Sequence, residues 1–145
     1  MYERESGAYR QIDVAGVMPE GMQFGALRMS GDGTVIGFAA RCMACMTRRA
    51  ISRIFLHDPA WNRTAELLSW PASADNFDIK GFSRDGRFVL FVSVANLVPD
   101  DRAFLDVFVM DRFTGSITRV SRGGVAPDGH SYEPSITPDG LRVAV

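Results

Sequence analysis

Two stretches of the chain set its fold class. Val89-Leu90-Phe91-Val92 and Val107-Phe108-Val109-Met110 are apolar at every consecutive position and rich in β-branched and aromatic residues. Such composition suits strands. A strand with one face in water alternates apolar with polar residues, and these do not, so both faces of their sheet must be covered. No segment carries a strong helical period that could supply the cover. The pattern predicts an all-β, antiparallel protein in which sheets pack on sheets.

The turns repeat. Asp32-Gly33, Asp85-Gly86 and Asp139-Gly140 each lie between two apolar runs, at spacings of 53 and 54 residues. Glycine accepts the positive φ of a tight hairpin, and Asp tolerates it better than most side chains. The flanking strands repeat as well. Thr34–Ala40 aligns with Arg87–Ser93 and then with Leu141–Val145, and Ile54–Asp58 aligns with Val107–Asp111. Four residues after Asp58 stands Asn62, and four after Asp111 stands Gly115. Asn is the residue that best replaces Gly at a left-handed position.

Each full copy holds four predicted strands. They are about Phe24–Met29, Thr34–Ala40, Ile51–His57 and Thr64–Leu68, then about Phe77–Phe82, Arg87–Ser93, Phe104–Met110 and Ser116–Val120. The copies occupy residues 22–70 and 75–122. Residues 1–14 read as the last strand of a preceding copy, and 130–145 as the first two strands of a further one. A period of this length built from hairpins implies four-stranded blades that pack side by side, as in an arc of a β-propeller.

The phrases Pro134-Ser135-Ile136-Thr137-Pro138-Asp139-Gly140-Leu141-Arg142-Val143-Ala144-Val145 and Asn96-Leu97-Val98-Pro99 resemble the TolB-type β-propeller repeat, a WD-like repeat family. So does the segment from Asp106 to Ser121. The Pro-Asp dipeptide that names the repeat occurs once, at Pro138-Asp139. The resemblance implies blades of four antiparallel strands around a channel. It also implies either a protein-interaction platform or the propeller part of an enzyme. Propellers close with about 4–8 blades, more than the copies counted here. Two arrangements resolve the shortfall. The chain is a fragment of a larger propeller, which is the favoured reading, or copies join as a homo-oligomer that completes the ring.

Composition removes several classes. With 46% apolar and 23% charged residues the chain is globular, and its net charge of −1 offers no surplus to neutralise phosphates, so no nucleic-acid partner is expected. The apolar stretch around 88–98 is broken by Ser93 and Asn96 and falls short of the roughly 18–20 residues that span a bilayer. No membrane insertion is expected. The N-terminus is charged and shows no apolar leader. That reads as cytoplasmic if taken literally, and as bacterial envelope or secreted if the chain is a piece of a typical relative.

Candidate chemistry is sparse. Cys42 and Cys45 form the only C-x-x-C, without the second ligand pair that a zinc site needs. They read as loop thiols, or as a local disulfide in an exported protein. Asp100, Asp101 and Asp106 form an acidic loop whose hard oxygens could hold calcium, against the preferred reading of a solvated loop. Arg48, Arg49 and Arg53 cluster in the matching loop of the first copy. Asp58 and Asp111 recur at one position, which argues for turns closed by side-chain carboxylates. Gly81-Phe82-Ser83-Arg84-Asp85 fails the G-x-S-x-G pattern at its last position, and Asn62-Arg63-Thr64 is formally a glycosylation sequon inside a turn.

The expected function is a non-catalytic repeat module that binds a protein or peptide through its loop faces, with no cofactor. The alternative is the propeller portion of a serine peptidase or other hydrolase whose catalytic domain lies outside this chain.

Overall fold

The computed structural model describes residues 1–14, 16–18, 21–42, 51–71, 78–99, 104–121 and 133–145. These residues form four antiparallel sheets and, among them, no helix. The first full blade is β3 (Met22–Met29), β4 (Ile36–Cys42), β5 (Ile51–Asp58) and β6 (Arg63–Pro71), in that spatial order. The second is β7 (Asp78–Phe82), β8 (Phe88–Ser93), β9 (Asp106–Asp111) and β10 (Ile117–Arg119). The hairpin of β11 (Ser135–Ile136) and β12 (Val143–Ala144) begins a third.

The start of the chain departs from expectation. Residues 1–14 hold a hairpin of two short strands, β1 (Tyr2–Glu3) and β2 (Ala8–Tyr9), rather than one strand. The Met1 ammonium donates to the Arg10 carbonyl at 2.6 Å and Gly7, at φ 68°, closes the turn. A two-residue strand is too short to leave an apolar pattern.

The second blade is buried on both faces, as its unbroken apolar runs require. One face carries Val89, Phe91, Phe108 and Met110. With Ile79 and Phe82 of β7 they pack on Val35, Ile54 and Leu56 of the first blade. The other carries Leu90, Val92 and Val107, against Ile136 and Val143 of the third unit. Full burial of an aromatic side chain such as Phe91 or Phe108 stabilises by about 1.5–3 kcal/mol. The aromatic pairs repeat too. Phe38 stacks on Phe55 across the β4–β5 pairing, and Phe91 on Phe108 across β8–β9, at centroid distances of 5.5 and 5.6 Å.

Glycine sets how closely the blades approach. A Cβ on Gly37 would stand 2.4 Å from Ile79 Cδ1 and 2.5 Å from Phe82 Cζ. A larger residue at that point of β4 would force Ile79 and Phe82 to shift. The blades adjoin along their first strands, β3 on β7 and β7 on β11. There Arg28 Nε donates to the Lys80 carbonyl at 3.3 Å, and Lys80 Nζ lies 3.4 Å from Glu133.

Candidate functional site

Most recurring polar residues are consumed by the turns. In the first hairpin Asp32 Oδ1 accepts from Ser30 Oγ at 2.7 Å, from Thr34 N at 3.0 Å and from Thr34 Oγ1 at 2.7 Å, while Ser30 Oγ accepts from Val35 N at 3.0 Å. The second hairpin repeats this with Ser83, Asp85, Arg87 N and Phe88 N. The third repeats it with Thr137, Asp139, Leu141 N and Arg142 N. Gly33, Gly86 and Gly140 close the turns at φ 75°, 68° and 74°. These donors hold all three carboxyls below the ordinary Asp range. For Asp32 the leading cause is the Thr34 N–H, for Asp85 the Ser83 hydroxyl, and for Asp139 the Thr137 hydroxyl. The hydroxyl two residues before each Asp completes the motif. Its signal was present in the sequence as Ser-x-Asp-Gly twice and Thr-x-Asp-Gly once. Ser83 is therefore a buried turn residue with both lone-pair and proton engaged, and no nucleophile.

The hairpins also join neighbouring blades. Asp32 N donates to the Arg84 carbonyl at 2.9 Å, and Arg84 N to the Pro138 carbonyl at 2.7 Å.

Asp58 and Asp111 end the third strands and cap the next turn. Asp58 Oδ1 accepts from Ala60 N at 2.9 Å and Trp61 N at 3.3 Å; Asp111 Oδ1 accepts from Phe113 N at 2.9 Å. Asn62 and Gly115 follow at φ 46° and 74°. Asp111 also takes a two-pronged bond from Arg87, Nε to Oδ1 at 3.1 Å and Nη2 to Oδ2 at 2.7 Å. That fork, helped by the Phe113 N–H and opposed by burial, lowers the Asp111 carboxyl to about 2.

Asp106 lies on β9, not in a loop. It is buried, accepts from Ser121 Oγ at 2.6 Å and has Arg119 Nη1 3.7 Å away. Its counterpart Arg53 pairs with Glu66 in the first blade. Positions 53 and 66 match 106 and 119 at one period, with the charges reversed. The carboxylate is thus half of a blade ion pair. No group of acidic, His or Cys side chains able to hold a metal occurs among the described residues. Cys42 ends β4. Cys45, Arg48, Arg49, Asp100, Asp101 and His130 lie outside the described residues.

His57 is 2% exposed. Its Nδ1 stands 3.0 Å from Thr64 Oγ1, and that hydroxyl donates to the Asp13 carbonyl. Thr64 of the sequon is therefore buried structure. Burial lowers the imidazole below its usual range.

Among the described residues a cleft of about 760 Å³ opens on the first blade where Arg112 of the second blade reaches it. Val35, Leu56, His57, Asp58, Trp61, Arg63, Glu66, Leu67 and Arg112 line it, with Ala65. Trp61 beside it is 81% exposed, and Phe113, on the corresponding hairpin of the second blade, is 76% exposed. The Arg87 guanidinium lies 5.3 Å from the Phe113 ring centroid and 4.9 Å from that of Phe88, which steadies Phe113 on the surface. The cleft leaves no pattern along the sequence, because it exists only once the two sheets are placed together.

No protein-family model and no curated protein matches the sequence. Solved structures do. An oligogalacturonate lyase in complex with manganese superimposes with a TM-score of 0.59 at 19% identity, over 96% of this chain and 35% of that one. The oligogalacturonate lyase of Vibrio parahaemolyticus gives 0.58 at 16% identity over the same shares. TolB from Acinetobacter baumannii gives 0.54 at 21% identity, over 81% of this chain and 25% of that one. The chain thus spans about a quarter to a third of the length of these neighbours. At such identities the likeness speaks for fold alone. With two four-stranded antiparallel blades and the start of a third packed in chain order, the described residues form an arc of a β-propeller, similar in fold to these structures.

Proposed function

We propose that this arc is a non-catalytic propeller module that binds a protein or peptide partner on the face carrying its tight hairpins. One observation carries the reading. The polar side chains that recur from blade to blade are spent on the turns, while Trp61 and Phe113 stand exposed on corresponding hairpins of adjacent blades. Exposed aromatics on rigid turns supply contact area at low entropic cost, and they are the residues that dominate binding energy at interfaces. A photo-activated cross-linking residue at position 113 tests this in producing cells. A discrete protein adduct is expected there and not from the same group at Ser69. Equal or absent labelling at both positions would refute the reading.

The match to two lyase chains over nearly all of this sequence favours a second reading, the propeller portion of an enzyme whose reacting groups lie on other parts of the protein. Under it, Trp61→Ser with Phe113→Ser would lower turnover of the complete protein as well as partner capture.

A further inference from the structure

Resting on the scaffold reading, we infer that the cleft between the two full blades receives an acidic, extended peptide segment, with a carboxylate on Arg112 and an apolar side chain beside Trp61. Arg112 is the central group of the cleft. Its guanidinium is partly buried, reaches across from the second blade and lines the cleft. Among the described residues its guanidinium makes one hydrogen bond, Nη1 to the Gly86 carbonyl at 2.8 Å, and no ion pair. The neighbouring Arg87 shows the contrast, since it holds Asp111 with two parallel bonds. A partly desolvated guanidinium with free donors matches a carboxylate in charge and in planar geometry.

The carboxylates around the cleft do not meet that need. Asp58 and Asp85 are close enough for their charge to act on Arg112, yet neither reaches ion-pair distance. Both are turned into their own hairpins, Asp58 toward the N–H groups of Ala60 and Trp61, Asp85 toward Ser83 and Arg87 N. Glu66 is taken by Arg53. The exposed Arg63 adds a second cation at the rim. The apolar part is supplied by Val35, Leu56, Leu67 and Trp61, all of which line the cleft. The volume suits a few extended residues, not a folded domain. An extended segment sets alternate side chains on one side, so acidic and apolar residues in alternation reach both halves of the cleft. The first blade has Pro59 where the second has Arg112, so this cation is particular to this junction and not part of the blade plan.

The test uses three capped tetrapeptides, Leu-Glu-Leu-Glu, Leu-Gln-Leu-Gln and Leu-Lys-Leu-Lys, titrated into the isotope-labelled chain. The Arg112 Nε–H and Trp61 indole N–H resonances report binding at the two halves of the site. The glutamate peptide is expected to shift both, with affinity falling as salt rises and roughly tenfold or more tighter than the glutamine peptide, as a charged hydrogen bond implies. Arg112→Gln should remove that advantage while Trp61→Ala weakens the glutamate and glutamine peptides alike. Arg112→Lys keeps the charge without the fork and should fall between. Unshifted resonances, equal binding of all three peptides, or an Arg112→Gln chain that binds glutamate as well as the parent would overturn the inference. A cross-link at position 113 that survives such a failure would leave the scaffold reading standing and remove only the acidic occupant.

Discussion

Val35 of the first blade lies against the backbone of Gly86 in the second, so closely that a Cβ at position 86 would stand 2.7 Å from Val35 Cγ2. Gly86 also holds φ at 68°. Two separate constraints therefore act on one residue, a left-handed turn and the approach of two sheets. Gly86→Val should destabilise the fold by at least about 1 kcal/mol, because a β-branched residue resists positive φ and has no room here. Thermal melting checks this; an unchanged melting temperature would count against the hairpin. Gly115→Val, at a φ of 74° and with nothing within 4 Å, should show the backbone effect without the steric one.

The hydroxyls at Ser30, Ser83 and Thr137 do the same work in three hairpins. Ser83→Ala leaves the Phe88 N–H and the Asp85 carboxylate each short of a partner, and should lower stability by about 1–3 kcal/mol. Ser83→Thr should be tolerated, because Thr already fills the role at position 137. Denaturant unfolding separates the two variants. Equal loss in both would show that the methyl, not the hydrogen bonds, decides the outcome.

Asp106 and Arg119 form the reversed version of the Arg53–Glu66 pair. Removing one partner of a buried pair leaves an uncompensated charge. Asp106→Ala should therefore be more destabilising than Asp106→Ala combined with Arg119→Met. Exchanging the two residues, Asp106→Arg with Arg119→Asp, should restore most of the loss, since the first blade already uses that polarity. A double-mutant cycle by equilibrium unfolding reads the coupling.

The Arg87–Asp111 fork makes part of the stability acid-sensitive. The carboxyl titrates at about 2 in the folded chain, below its ordinary value of 3.8. A lowered folded value means the contribution is complete above roughly pH 4 and fades as pH falls through about 2. Arg87→Gln should move the Asp111 carboxyl up toward its ordinary range and remove this share of the acid dependence. Carbon-detected NMR titration of the Asp side chains measures it directly.

The parts of the fold that were readable in advance share a cause. Turns with positive φ admit few residues, so Gly33, Gly86, Gly140, Asn62 and Gly115 leave a mark at a constant period. Strands buried on both faces leave unbroken apolar runs at 89–92 and 107–110. What was not readable depends on partners. Arg53 and Asp106 look like a mismatch when aligned, and only the pairing with Glu66 and Arg119 shows that one interaction has been written twice with opposite signs. Tyr2–Glu3 is too short a strand to show a period. The reason for Gly37 lies in Ile79 and Phe82, which no local pattern connects to it. The cleft at Arg112 arises from a single non-repeating residue placed across a blade junction, so the periodicity that exposed the fold concealed the candidate site.

The central claim is that successive blades lean face to face in chain order. Gly31 and Arg84 test it most directly, since a Cβ on Gly31 would lie 3.5 Å from Arg84 Cβ. That separation falls within the range a disulfide requires, about 3.5–4.5 Å. In a chain with Cys42 and Cys45 replaced by Ser, Gly31→Cys with Arg84→Cys should close an intramolecular bridge on mild oxidation, seen as a mass loss of about two hydrogens in a monomer. Thiols that stay free, or that pair only between molecules, would contradict the stacked-blade arrangement.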